Sequence, residues 1–187
     1  MRWWLRSLAI GAAVGLAAGF VIGGLLGRIY MRVLFLVEED TRGVETAFGA
    51  IVGELTADGT VFIFVFGGYI GAGFGLAYVA LRPLMPSAFY VRELLFVVGA
   101  TAAMLPLIIR QNLEDFSFLP VTLSLVLIGA SVALAAIPVP LLTERFAPDR
   151  PRPARPLSYV VLGLGLTALI VAATLSVLDA YAVEPLL

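Results

Sequence analysis

The chain has 187 residues, of which 61% are hydrophobic and only 13% charged, whereas a soluble domain carries about 25% charged residues, so the composition predicts a membrane protein. It has no histidine or cysteine, and all 12 basic residues are arginine, which excludes imidazole, thiolate and lysine Schiff-base chemistry and the usual zinc or haem ligands. The net charge of −1 argues against a nucleic-acid partner. We expect residues 1–187 to form a single integral membrane domain.

Five apolar stretches are long enough to cross a bilayer as helices, since a spanning helix needs about 20 residues. They are residues 7–27, 60–81, 89–109, 119–142 and 157–178. The first exceeds the 7–15 apolar residues of a signal peptide, so we expect it to be retained as a span. The runs are too long for barrel strands. We therefore predict an all-α bundle of five transmembrane helices.

Glycines recur at every fourth position in the first two spans. They are Gly11, Gly15, Gly19, Gly23 and Gly27 in the first span, and Gly67, Gly71 and Gly75 in the second. A spacing of four places them on one face of each helix, where the backbone of another helix can approach closely. The pattern indicates a glycine zipper. Its main interpretation is packing of the first helix on the second within one chain, and the alternatives are a homo-oligomeric seam or a glycine-lined pore.

The long loop of residues 28–59 begins with two arginines. Arg28 and Arg32 are four residues apart on a continuation of the first helix, so they share a face. Partial alternation of apolar and polar residues over 43–56 is consistent with a short β-hairpin. Asp58 or Thr60 is expected to cap the second helix.

Six of the charged residues on the side of this loop form the candidate site. They are Arg28, Arg32, Glu54, Asp58, Glu114 and Asp115. Three interpretations stay open: a structural ion-pair network, an anionic-lipid or phosphate site at the arginines, and a divalent-cation site at the acids. No span has an ionisable residue at its centre, where such a group usually marks an ion pathway. We predict no catalytic residue, no bound metal and no cofactor.

Prolines mark three further places in the chain. Pro106 lies inside the third span and is expected to kink it. Pro138 and Pro140 are expected to end the fourth span. Residues 148–156 contain four prolines and three arginines and predict a stiff basic linker.

The arginines are sorted between the two sides of the predicted bundle. The side with the N-terminus holds eight arginines and three acids, and the other side holds four arginines and ten acids. Because arginine is enriched in cytoplasmic loops, we predict the N-terminus inside and the C-terminus outside.

Part of the chain resembles small uncharacterised bacterial multi-pass membrane proteins, a group without an assigned activity. The similar segments are residues 27–34 and 53–62 and the spaced positions Gly71, Gly75, Tyr78 and 82–86. The resemblance implies a bacterial cytoplasmic (inner) membrane location and assigns no site residue.

Two functions remain open from the sequence. The first is a non-enzymatic accessory or scaffolding component whose partners are the lipid bilayer and another membrane protein. The second is a small channel or transporter that forms a homo-oligomer through the glycine-rich first and second helices.

Overall fold

The structure is a computed structural model that describes residues 2–37, 43, 56–113, 116, 120–147 and 156–183. Only the backbone is described for Arg2, Trp3, Pro156 and Val183. The predicted hairpin, apart from Gly43 and Thr56, lies outside the described residues. Three acids of the candidate site also lie outside them: Glu54, Glu114 and Asp115.

Seven α-helices, one π-helical segment and one short 3-10 helix make up the described fold. In chain order they are α1 (Arg2–Ala18), the π segment (Gly19–Gly23), α2 (Gly24–Val37), α3 (Ala57–Leu81), the 3-10 helix (Arg82–Leu84), α4 (Phe89–Gln111), α5 (Val121–Ala136), α6 (Pro138–Phe146) and α7 (Pro156–Val183). No strand occurs among the described residues.

Five helical stretches are long and apolar enough to span a membrane. They are Trp4–Val37, Ala57–Leu84, Phe89–Gln111, Val121–Phe146 and Leu157–Ala182. The prediction of an all-α protein with five spanning helices is confirmed. The spans could be predicted from the sequence because the hydropathy of a stretch of about 20 residues depends only on those residues.

The first span is one continuous helix that changes its winding near the middle. Ala18 and Gly24, on either side of the π segment, both keep helical dihedral angles. The helix runs on to Val37 and so carries Arg28 and Arg32. A π turn holds about one residue more than an α turn, and such turns often lie at functional sites.

The start of α3 corrects one prediction from the sequence. Thr56 caps this helix: its backbone is extended (φ −84°, ψ 149°), and its hydroxyl oxygen accepts a hydrogen bond from the Gly59 N–H at 3.2 Å. The expectation of Asp58 or Thr60 at this position was wrong because both already lie within the first helical turn. The Thr60 hydroxyl instead donates to the Thr56 carbonyl at 2.7 Å.

The prolines of the fourth span do not end it. Ile137 keeps helical dihedral angles between α5 and α6, and its N–H donates to the Ala133 carbonyl at 3.1 Å. Pro138 is the first residue of α6, a position at which a helix tolerates the missing N–H of proline. The span therefore continues to Phe146. Pro106 lies inside α4, which runs from Phe89 to Gln111.

Packing places α1 antiparallel to α3, with α6 against both of them and α4 between α5 and α7. The buried core includes Phe74, Tyr78, Phe96 and Val139.

We call the end of the bundle with residues 2–6, 82–88 and 143–147 the basic end. The opposite end, with residues 28–37, 56–60 and 110–113, is the acidic end.

Candidate functional site

The glycine faces of α1 and α3 meet inside the chain. The facing pairs are Gly11 with Gly75, Gly15 with Gly71, and Gly19 with Gly67. A methyl group added at Gly71 would collide with the carbonyl oxygen of Gly15 and lie 2.7 Å from the Cα atom of Gly19. Since both obstacles are backbone atoms, no side-chain rotation could relieve the collision. Only glycine permits this approach of the two helices.

The last two glycines of the period-four series in the first span do not continue this contact. A Cβ atom at Gly23 would meet only the Cα atom of Gly67, at an ordinary 3.6 Å, and one at Gly27 would meet the Ile63 side chain at 2.7 Å. Gly24 is buried instead, and a Cβ atom there would lie 2.6 Å from the Phe64 ring. The extra residue of the π turn rotates the later positions, an effect that the spacing of glycines did not reveal.

A cavity of about 360 Å³ lies beside these glycines, between the first span, α3, α4 and α5. Gly19, Gly23 and Gly67 form one part of its wall, and apolar side chains form most of the rest. The wall includes the apolar side chains Ile63, Phe74, Met104, Ile108, Ile128 and Val132. Among the described residues, the lining contains no charged side chain. Because glycine has no side chain, the glycine positions leave this space unfilled.

A cluster of polar side chains lies at the basic end, and we call Tyr78, Arg82, Arg92 and Glu144 the basic-end cluster. The Glu144 carboxylate is its centre. Its Oε2 atom lies 2.6 Å from the Arg82 guanidinium, and its Oε1 atom lies 3.1 Å from that of Arg92. The Tyr78 hydroxyl donates to the same Oε1 atom at 2.6 Å. These contacts join α3 and the 3-10 helix to α4 and α6.

The basic-end cluster is shielded from solvent. Arg82 and Arg92 are 5% and 7% exposed, Tyr78 is fully buried, and the Glu144 side chain is 19% exposed. Arg82 also donates to the carbonyl of Ala147, just after the end of α6, at 3.1 Å. Two guanidinium groups share one carboxylate, so Glu144 is the group whose loss would leave buried charge uncompensated.

Sequence reasoning missed this cluster. Arg82, Arg92 and Glu144 entered that reasoning among the eight arginines and three acids counted on the side with the N-terminus, and no contact between them was predicted. One signal was present, because Tyr78 and Arg82 are four residues apart and so face the same way on a helix. Nothing in the sequence indicated that Glu144, 62 positions beyond Arg82, completes the group.

The predicted site at the acidic end is assembled in part. Arg28 donates to the Thr56 carbonyl at 3.2 Å and to the Thr60 hydroxyl oxygen at 2.6 Å, which ties the first span to the start of α3. Arg32 is exposed, and its guanidinium lies 5.0 Å from the centroid of the Phe35 ring. Asp58 is exposed, and in the described part of the chain no ion pair joins it to either arginine.

The fold and these sites define the class of protein: a multi-pass α-helical membrane protein. A scan against protein-family models and searches of the curated proteins and of the solved structures found no match to this chain.

Proposed function

We propose that the chain is a non-enzymatic integral membrane protein that acts as an accessory or scaffolding component, packing against lipids and a membrane partner. The observation that supports this proposal is the exposure of α7. Only 6% of the most apolar 18-residue stretch of this helix is buried inside the bundle, against 22–33% for the other four spans.

The exposed surface of α7 is apolar along its length. It packs chiefly on α4, and its remaining faces point away from the bundle. Leu157 and Leu164 are 72% and 69% exposed, and Cβ atoms added at Gly163 and Gly165 would contact nothing within 4 Å. Such a face can meet lipid chains or receive a partner helix, since helices in membranes associate through small residues and close packing.

Co-purification tests this proposal. The tagged chain is extracted from membranes of its native host in a mild detergent, and the proteins that accompany it are identified by mass spectrometry. We expect a defined membrane protein to accompany the wild type and the G73W variant, and to be lost from G165W. Both glycines have open space around them, but only Gly165 lies on α7. A lone chain without a partner or retained lipid would contradict the proposal.

The alternative is an oligomeric channel or transporter assembled through the glycine faces. The structure gives this function less support, because the glycines of α1 and α3 are already in contact with each other inside one chain. These glycines are therefore proposed to act as a helix-packing zipper within the chain.

We further propose that the protein lies in a bacterial cytoplasmic membrane with its N-terminus inside and its C-terminus outside. The excess of arginine at the basic end supports this orientation. A reporter enzyme that is active only in the cytoplasm, fused after Leu187, should be inactive, and the same reporter fused ahead of Met1 should be active. Activity of the C-terminal fusion would contradict the proposed orientation.

A further inference from the structure

We infer that the cavity between the first span and helices α3, α4 and α5 binds one hydrocarbon chain of a phosphate-bearing membrane lipid. The inference deepens the proposed function, on which it rests, by naming the lipid chemistry and the place where it binds. It is carried by the lining of the cavity, its opening to the surface and the arginines beside it.

The lining suits hydrocarbon and disfavours water. Water in a cavity needs two to four polar partners. Four side chains of the described wall are polar, those of Tyr30, Gln111, Asn112 and Ser131, and Asn112 already donates to the Ile108 carbonyl at 2.7 Å; the other described lining residues are apolar or glycine. A lipid chain needs no hydrogen bonds, and the aromatic and aliphatic wall offers it dispersion contacts along its length.

The cavity also reaches the surface of the bundle within the spanning region. Phe62, Phe66 and Leu107 line it and are themselves 43%, 38% and 55% exposed. All three lie within stretches apolar enough to cross a membrane. A chain from the surrounding bilayer can therefore enter from the side without passing through water.

Arg28 and Arg32, on a side of the bundle that otherwise carries mostly acids, supply the complement to a phosphate. Gly27 and Met31 line the cavity near the acidic end of the first span, and Arg28 and Arg32 lie in the same helical turns, although neither is part of the lining. Arg28 is held by Thr56 and Thr60, whereas the guanidinium of Arg32 is exposed above Phe35. A guanidinium binds phosphate oxygens through paired hydrogen bonds. A lipid with its chain in the cavity places its head group at this end of the bundle.

Two substitutions fill the cavity. A Cβ atom at Gly23 meets only an ordinary contact, so the longer side chain of G23L extends into the space that Gly23 lines. S131L adds volume from the opposite side, on α5. G129L is the matched control, because Gly129 lies on the same helix as Ser131, does not line the cavity, and a Cβ atom there would contact nothing within 4 Å. Thermal unfolding and size-exclusion profiles identify any variant that does not fold, and the two filling variants test the inference independently.

The experiment is photocrosslinking in nanodiscs with three lipids that carry a diazirine on the chain: phosphatidylglycerol, a prenyl phosphate and uncharged diacylglycerol. We expect crosslinks from the phosphate lipids at α3 and α4 residues that line the cavity. They should fall about tenfold in G23L and S131L and remain unchanged in G129L. Stronger crosslinking by phosphatidylglycerol or by the prenyl phosphate shows which of these two lipids supplies the hydrocarbon chain.

Crosslinks spread evenly over α7 and the other exposed faces, and insensitive to G23L and S131L, would overturn the inference. If diacylglycerol and phosphatidylglycerol label the wild type equally, and label R32Q equally as well, the phosphate part of the inference is overturned. A partner protein that co-purifies with a chain whose cavity takes no lipid would leave the proposed function standing and remove this inference alone.

Discussion

The hydroxyl of Tyr78 donates a 2.6 Å hydrogen bond to Oε1 of Glu144, which lies 66 residues further along the chain. The same carboxylate holds Arg82 and Arg92 through both of its oxygens. One acidic side chain on α6 thus fastens α3, the 3-10 helix and α4 at the basic end.

Replacement of Glu144 by glutamine should destabilise the protein by about 3 kcal/mol, because two guanidinium groups that are less than 10% exposed lose their counter-charge. The measurement is the free energy of unfolding in mixed micelles, followed by circular dichroism. E93Q is the control, since Glu93 is next to Arg92 in sequence but outside the basic-end cluster. Equal stability of E144Q and E93Q would show that the cluster contributes nothing.

Y78F should cost about 1.5–3 kcal/mol, the usual contribution of a hydrogen bond to a charged group. The ring itself is retained, so its edge-on contact with Phe96, at a centroid distance of 5.1 Å, should persist. Y69F, at a tyrosine that is 75% exposed, should change stability by less than about 0.5 kcal/mol.

A double-mutant cycle should then show that the effects of Y78F and E144Q are not additive. In the absence of the carboxylate, the tyrosine hydroxyl has lost its partner, so its removal should cost less. Strict additivity would contradict the direct hydrogen bond.

G71A should destabilise the protein by about 2 kcal/mol or more, because the added methyl group meets the backbone of Gly15 and Gly19. G73A, two residues away on the same helix, has open space around the new methyl group and should be neutral or slightly stabilising. Thermal unfolding in detergent compares the two variants.

The same G71A variant separates packing inside the chain from packing between chains. If the glycine faces meet only within one chain, the molar mass of the folded fraction, measured by light scattering, should equal that of the wild type. A fall from a larger wild-type mass would instead favour the homo-oligomeric seam.

R28Q should loosen the start of α3, since the side chain would no longer donate as a cation to the Thr56 carbonyl and the Thr60 hydroxyl. Hydrogen exchange of the amides of residues 59–63 should become faster, by about tenfold for a loss of 1.4 kcal/mol. R32Q is the control, because Arg32 is exposed and its guanidinium contacts the ring of Phe35, which lies on its own helix. Unchanged exchange in R28Q would contradict the proposed tie.

The sequence by itself determined the spanning segments and the faces of single helices. Runs of apolar residues determine the five spans. Glycines at every fourth position determine which face of α1 and of α3 lacks side chains and so allows close contact. Both properties depend on neighbours within one or two helical turns, so no tertiary information was needed. The same kind of local prediction was wrong at α6, because Pro138 begins a helical segment there and does not end the span.

Only the tertiary structure decided what each of these faces meets. It paired Gly15 with Gly71 inside one chain, buried Gly24 in place of Gly23 through the π turn, and left the cavity beside them. It also brought Glu144 to two arginines more than 50 positions away in the sequence. The physical reason is that helix packing in a membrane is set by the fit of whole surfaces and the pairing of buried charges, which depend on residues far apart in the chain.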